Sequence, residues 1–391
     1  MLKKQILLLS EIYPPASGGS GRWFSEIYPQ LPDDRCTAVT HTHDGWEEYD
    51  RKNPSIGMHR EDLFIRDRAP FSINSLLRYL TILRTARRVA KRNNVTQIHA
   101  ARPLHEGLVA RLIARSLKIP FLCYVHGEDL SVALTSRQLK LSTNFTLEGA
   151  AKVICNSQFT KSLLLSSFSV SQDKIKIIHP GVDTNFFTPT ERCQATRDQL
   201  GWGNRKVILT VGRLQRRKGQ DTLIKAIPNI RKVHPDILYA IVGEGAYGEE
   251  LKRLAKAEGV GDNVLFHGEV SDLKMLKCYQ QCDLFCLPNR DDGADVEGFG
   301  MVSLEAQACG KPALVGDSGG APETVAEGTT GFAIDCTSPQ SIASKVVELL
   351  NDPTAIRSLG QDARRRAMEE FDWAAIVNQS DDFFHQIERI G

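Results

Sequence analysis

The sequence has almost no net charge, no long apolar run and no paired cysteines, and each absence removes a class of protein. Lysine and arginine number 49 against 47 aspartates and glutamates, a formal charge of +2. A dedicated nucleic-acid binder is usually far more basic. Nowhere do 18 apolar residues follow one another, so no membrane-spanning helix is expected. The first apolar run, Gln5 to Leu9, is short and Glu11 follows it, which does not fit a signal peptide. The expected location is therefore the cytoplasm. The nine cysteines stand singly, with no C-x2-C pair of zinc spacing. Cys278, Cys282 and Cys286 recur every fourth residue and read as small buried residues in a helix running into a strand. An odd count in a cytoplasmic chain argues for free thiols. The G-x4-G-K-[ST] phosphate loop is missing too. Cys309-Gly310-Lys311-Pro312 lacks the hydroxyl residue, which disfavours kinase or ATPase chemistry.

What is present describes a globular chain of 391 residues, 41% hydrophobic and 25% charged, long enough for two domains. Short apolar runs alternate with amphipathic stretches. Strands are expected at Gln5–Ser10, Thr37–Thr40, Gln97–Ala100, Phe121–Val125, Val153–Cys155 and Lys176–His179. The pattern restarts at Lys206–Val211, Leu238–Val242, Val264–His267, Leu284–Leu287, Ala313–Gly316 and Gly331–Ile334. Helical patterns separate them, for example Ser75–Arg92 and Leu104–Ser116. Such alternation implies an α/β fold with parallel sheets covered on both faces. Pro180-Gly181, Pro189 and Gly201-Trp202-Gly203 place a seam near 182–204. Ligands of open parallel sheets lie at the carboxyl ends of the strands.

The motifs fall at those ends. Gly18-Gly19-Ser20-Gly21 follows the first strand, where glycine backbone can approach an anion beside a helix start. Gly243-Glu244-Gly245-Ala246-Tyr247-Gly248 matches the dinucleotide fingerprint G-x-G-x-x-G. It lies on the second strand of its half, whereas a dinucleotide site would use the first. A tight turn close to a nucleotide base is the better reading. Gly212-Arg213-Leu214 and Arg216-Arg217-Lys218-Gly219 follow the strand ending at Val211. Arg213 and Lys218 can there neutralise a diphosphate leaving group. Glu297-Gly298-Phe299-Gly300 opens a helix running to Ala308 or Cys309, with Glu305 two turns inside. Helix amides can hold phosphate or sugar oxygens, and buried carboxylates can accept from sugar or ribose hydroxyls.

Glu297 and Glu305, spaced E-x7-E within EGFGMVSLEAQACGKP, resemble the signature of the family 4 retaining glycosyltransferases. GRLQRRKG (212–219), IVGEGAYGEEL (241–251), YQQCDLFCLP (279–288), SGGAPE (318–323), HPGVDTNFF (179–187) and HGED (126–129) extend the resemblance over most of the chain. It implies the GT-B fold, two Rossmann-like doubly wound domains facing a central cleft. Residues 1–188 would form the acceptor side, completed by a crossover helix at about 372–391. Residues 204–371 would form the donor side. By motif, Arg213 and Lys218 grip the diphosphate and Glu305 bonds the ribose. Glu297 contacts the sugar ring, and His126 bonds the donor sugar. Gly18, Gly19, Gly212, Gly243, Gly298, Phe299, Gly300, Met301 and Val302 complete the donor contacts. Asp129, Asn156 and Ser157 are candidate sugar or acceptor contacts. The reaction implied is transfer of a hexose with retention, the departing phosphate taking the acceptor's proton. No cofactor or metal is expected, because the family neutralises the diphosphate with side chains. The polar Asp291, Asp292 and Asp295 are read as a loop.

The donor leans towards UDP-glucose, with GDP-mannose the alternative, and the acceptor is a saccharide or lipid-linked sugar. A sugar-nucleotide epimerase and a non-catalytic nucleotide-sugar binder are the competing classes. From Arg68 to Arg102 there are eight arginines and lysines and no acid. Arg84, Arg87, Arg88, Lys91 and Arg92 ride on one expected helix whose apolar face is marked by Leu76, Leu80 and Leu83. That helix suggests attachment to an anionic membrane surface at the inner face of the cell membrane.

Overall fold

The structure is a computed structural model and describes residues 5–387 apart from Ser17, 33–34, Ser55, 66–71 and Ala294. Arg68 and the last four residues of the expected closing helix lie outside the described residues. The chain divides into two compact units, Met1–Pro180 with Trp373–Gly391, and Gly181–Asp372.

The first unit is built on a seven-stranded parallel sheet. Its strands are β1 (Ile6–Ser10), β2 (Cys36–His41), β3 (Gly57–Glu61), β4 (Gln97–Ala100), β5 (Phe121–Val125), β6 (Lys152–Cys155) and β7 (Ile175–Ile177), in the order β3-β2-β1-β4-β5-β6-β7. The order reverses between β1 and β4, the switch point where doubly wound sheets receive ligands. β1 and β5 are buried along their whole length, as strands covered on both faces must be. Leu7, Leu9, Ile98 and Cys123 face one core, with Ile82 and Val89 of the helix Ile73–Arg92 and Val109 and Ile113 of Glu106–Leu117. On the opposite face Trp23 and Phe24 pack edge-on against Tyr124. The closing helix Trp373–His385 belongs to this unit. Its Phe384 lies 4.4 Å from the His99 ring, and Arg35 pairs with Asp381 and reaches His385 Nε2 at 2.8 Å.

The second unit carries a six-stranded parallel sheet: β8 (Val207–Val211), β9 (Leu238–Val242), β10 (Val264–Gly268), β11 (Leu284–Leu287), β12 (Ala313–Gly316) and β13 (Gly331–Ile334). The order is β10-β9-β8-β11-β12-β13, with its switch point between β8 and β11. Cys278, Cys282 and Cys286 are buried free thiols. Among the described residues no group of three or more metal-ligating side chains occurs.

Three expectations need correction. Residues 181–188 belong to the second unit rather than the first, because Val182 and Phe187 are part of its core and Phe187 packs edge-on against Tyr279. β3 was not expected at all. The apolar face of Ile73–Arg92 is also reversed. Ser75, Ile82, Ala86, Val89 and Ala90 are its buried residues, while Leu76, Leu77 and Leu80 are exposed. Leu83 alone of the expected marker residues packs against the core.

Candidate functional site

The second unit presents its motif residues where β8, β9 and β11 end. The loop after β9 lies directly on the loop after β8. Gly212 N–H donates to Val242 O at 2.9 Å, and Leu214 N–H to Glu244 O at 2.9 Å. Gly243 has φ +124°, and a Cβ on it would stand 2.2 Å from Gly212 O. This glycine is therefore required by backbone lying on backbone, which explains a G-x-G-x-x-G sequence off the first strand of its half.

After Gly212 the chain makes a single 3-10 turn, Arg216–Lys218, that directs Arg217 and Lys218 inward. Both donate to the same carboxylate oxygen, Glu297 Oε2, Arg217 Nη1 at 2.6 Å and Lys218 Nζ in a short contact. Arg217 Nε also reaches Asp295 Oδ1 at 3.0 Å. Glu297 is 7% exposed. Burial alone would push its pKa up, but Lys218 and Arg217 outweigh that and bring it down to about 2. Burial pulls the Lys218 ammonium below its ordinary value, against the opposing pull of Glu297. The cation expected to grip a diphosphate and the carboxylate expected to grip a sugar are thus joined. Arg213 stays outside this cluster, exposed, its carbonyl accepting from Gln220 Nε2 at 3.2 Å. The Asp291 carboxylate bonds Ser318.

Glu297 precedes a helix rather than opening it. The helix runs Met301–Ala308, capped by Gly300 at φ +95°. A Cβ on Gly300 would lie 3.0 Å from Leu287 and 3.9 Å from Glu297 Cγ. No side chain caps this helix start, and its leading amides, those of Met301 and Val302 among them, carry the positive end of the helix dipole. Gly298 is half-buried, and Phe299 is a core residue packed on Phe371 at 6.2 Å. Glu305 is 3% exposed, and Tyr279 OH donates to its Oε2 at 2.6 Å. Arg217 and Tyr279 were missed as site residues. Arg217 stood in a run of three cations with nothing to rank it, and Tyr279 stood in a quoted motif without an assigned partner.

In the first unit Gly18 and Gly19 follow β1 and open the helix Gly19–Ile27, whose start no side chain caps. His126 follows β5. Its Nε2 bonds Ala101 O at 2.9 Å. A carbonyl only accepts, so Nε2 carries the proton and Nδ1 is left as an acceptor. Burial pulls the His126 pKa down to about 4, so the ring is neutral at physiological pH.

The other three expected contacts have structural duties. Asp129 Oδ1 accepts from the amides of His126 and Leu130 at 3.1 and 2.9 Å, shaping the turn that carries the histidine. Burial pushes the Asp129 carboxyl up to about 6. Asn156 Nδ2 donates to His126 O at 3.1 Å. Ser157 is wholly buried and its Oγ caps the helix Gln158–Ser167, accepting from Thr160 N–H at 3.1 Å, so it is not available to a ligand. A charged group that sequence reading passed over lies at the switch point, where Arg102 bridges Glu11 (2.6 Å) and Glu106 (3.2 Å).

Residues 17–186 match the family described as Glycosyltransferase Family 4, and residues 194–366 the one described as Glycosyl transferases group 1. A GDP-mannose-dependent alpha-(1-6)-phosphatidylinositol monomannoside mannosyltransferase of Mycolicibacterium smegmatis is 34% identical over 379 residues, spanning 94% of this chain and 95% of the relative. The chain is a family 4 glycosyltransferase. A protein of the same name from Mycobacterium tuberculosis is 30% identical over 97% of each chain. Among solved structures, the Anabaena protein HepE in complex with UDP superposes with a TM-score of 0.81, covering 97% of this chain and 99% of that one at 22% identity. That likeness is one of fold, and it makes this glycosyltransferase a GT-B protein with two Rossmann-like units.

Proposed function

We propose that this glycosyltransferase transfers mannose from GDP-mannose, with retention and without a metal, to a glycolipid acceptor. The observation that carries the donor side is the buried Lys218–Arg217–Glu297 cluster beside the uncapped start of Met301–Ala308. It offers a cation and free amides for phosphate oxygens, and a carboxylate for sugar hydroxyls, within one corner of the second unit. The sequence leaned towards UDP-glucose. The relatives described above, aligned along nearly the whole chain, carry GDP-mannose in their names, which favours the alternative. At 22% identity HepE, solved with UDP and with UDP-glucose, informs only on the fold.

In this reading Arg213 and Lys218 neutralise the departing diphosphate and Glu297 accepts hydrogen bonds from mannose hydroxyls, while the neutral His126 of the first unit offers Nδ1 as an acceptor to a sugar hydroxyl. The acceptor hydroxyl attacks the anomeric carbon on the face the diphosphate leaves. Its proton passes to the departing phosphate oxygen as the sugar–phosphate bond breaks, so the configuration is kept and no protein nucleophile is required. Of the aspartates after β11, Asp295 is engaged by Arg217 and Asp291 by Ser318, which supports neutralisation by side chains. The test is transfer of radiolabelled sugar from GDP-mannose and from UDP-glucose into a lipid extract, each with and without chelator. Label entering lipid from GDP-mannose and undiminished by chelator is expected. Transfer from UDP-glucose alone would overturn the donor, and loss restored by Mg²⁺ would overturn metal independence.

The acceptor reading includes a membrane surface. Ile73, Leu76, Leu77 and Leu80 are exposed on the first turns of their helix, at 78%, 48%, 58% and 45%. Arg84, Arg88, Lys91 and Arg92 are exposed further along it, with Arg87 bonded to Ser116 Oγ at 2.8 Å. Apolar side chains that enter lipid and basic ones that stay at the headgroups make an interfacial helix, each cation being worth about 1 kcal/mol near an anionic surface. Among the described residues no helix is long and apolar enough to cross a membrane. Co-sedimentation with phosphatidylglycerol vesicles, and loss of it in Leu77→Asp, is expected. Equal recovery on phosphatidylcholine and phosphatidylglycerol would refute the attachment.

A further inference from the structure

We propose that Arg217 is a positioning residue that keeps the Glu297 carboxylate ionised and in place when Lys218 turns to the diphosphate. This rests on the reading of Lys218 and Glu297 as donor contacts. In the free protein both cations sit on the same oxygen, Glu297 Oε2. A lysine that moves to a phosphate gives up its hold on that oxygen. A carboxylate as buried as Glu297 and left without a cation takes up a proton, and then loses much of its capacity to accept from sugar hydroxyls.

Arg217 is built to stay. Its guanidinium is held at both ends, Nη1 on Glu297 at 2.6 Å and Nε on Asp295 at 3.0 Å. Its carbonyl accepts from Arg290 N–H at 2.8 Å. The Arg290 guanidinium in turn grips Asp221 through two bonds of 2.7 and 2.8 Å, and Thr222 Oγ1 at 2.7 Å. A planar fork anchored at two carboxylates cannot follow a ligand as a single ammonium on a flexible stem can. Arg217 and Arg290 therefore tie the segment 290–297 to the turn that carries Lys218, so sugar recognition and phosphate recognition share one support.

The test compares Arg217→Gln and Arg217→Lys with the wild type in three readouts: affinity for GDP, affinity for GDP-mannose, and the pH profile of kcat/KM. Arg217→Gln is expected to bind GDP within about 3-fold of wild type. Its kcat/KM for GDP-mannose should fall about 10–100-fold, the scale of losing a hydrogen bond to a charged group. Its acid limb should move to higher pH, because the Glu297 carboxyl is no longer held down. Arg217→Lys should restore part of both. If Arg217→Gln does not fold, Asp295→Asn removes the outer anchor at a side chain 44% exposed and should shift the same readouts in the same direction by a smaller amount. Equal losses for GDP and GDP-mannose with an unmoved pH profile, or no change in any readout, would overturn the assignment of Arg217. A wild type that binds neither ligand would overturn the donor reading together with it.

Discussion

Replacing Lys218 with alanine is expected to lower kcat by about 10²–10³, the usual cost of one preorganised electrostatic donor, while GDP affinity falls far less. The reason lies in when the charge is needed. On the proposed donor site the nucleotide sugar already carries its diphosphate charge when it binds, and Arg213 and the amides at Met301 and Val302 would share that charge with Lys218. As the glycosidic bond breaks, further negative charge develops on the departing oxygen, and only a group held against it lowers that barrier. Removing Lys218 leaves Glu297 bonded to Arg217 at 2.6 Å, so the buried carboxylate is not orphaned and the fold should survive. Single-turnover kinetics with GDP-mannose beside equilibrium GDP binding separates the two effects. Equal kcat in variant and wild type would remove Lys218 from the mechanism.

Glu297→Ala is expected to act on stability as well as on activity. It leaves two buried cations, Lys218 and Arg217, facing each other without their shared counter-ion. Breaking one partner out of a buried charge group costs roughly 3–5 kcal/mol, or a melting temperature lower by roughly 10 °C for a unit of this size. The pH dependence follows from the same contact. The folded pKa of Glu297 is depressed to about 2 from 4.5. Its contribution is therefore fully present above about pH 4.5 and is lost as pH falls towards 2. Calorimetry from pH 7 down to 3 should show the wild type and Glu297→Ala converging. A variant as stable as the wild type at pH 7 would mean that the cluster does not hold the site together.

The strands were legible because buried parallel strands read as unbroken apolar runs, and β5, β9 and β11–β13 fall where the apolar pattern put them. β3, with the sequence GMHRE, was not legible. It is a half-exposed edge strand whose polar residues carry no such run. The helix Ile73–Arg92 misled because it has two apolar stripes. The buried one is written partly in Ser75, Ala86 and Ala90, which weigh less than the leucines facing outward. The seam was drawn too wide: the units part at Pro180-Gly181, which it carried, but proline and glycine mark loops whether or not those loops join domains, and Phe187 and Trp202 further along it are core residues of the second unit.

In the second unit, motif spacing pointed to Lys218, Glu297 and Glu305. It could not say that Lys218 and Glu297 touch, nor that Arg217 rather than Arg213 joins them. That choice is made by one 3-10 turn, which no periodicity announces. Ser157 after β6 was over-read for a related reason. Ser157 follows a strand as a ligand contact would, but it also precedes a helix, and capping claims it.

The most direct test of the donor assignment is a thermal-stability titration of the intact protein with GDP-mannose in the presence of chelator, with Glu305→Ala alongside. At 100 times its Kd a ligand adds about 2.7 kcal/mol of stability. A saturable rise in melting temperature that the variant lacks is the predicted result. No rise with GDP-mannose or any other nucleotide sugar, or an equal rise in Glu305→Ala, would contradict the account.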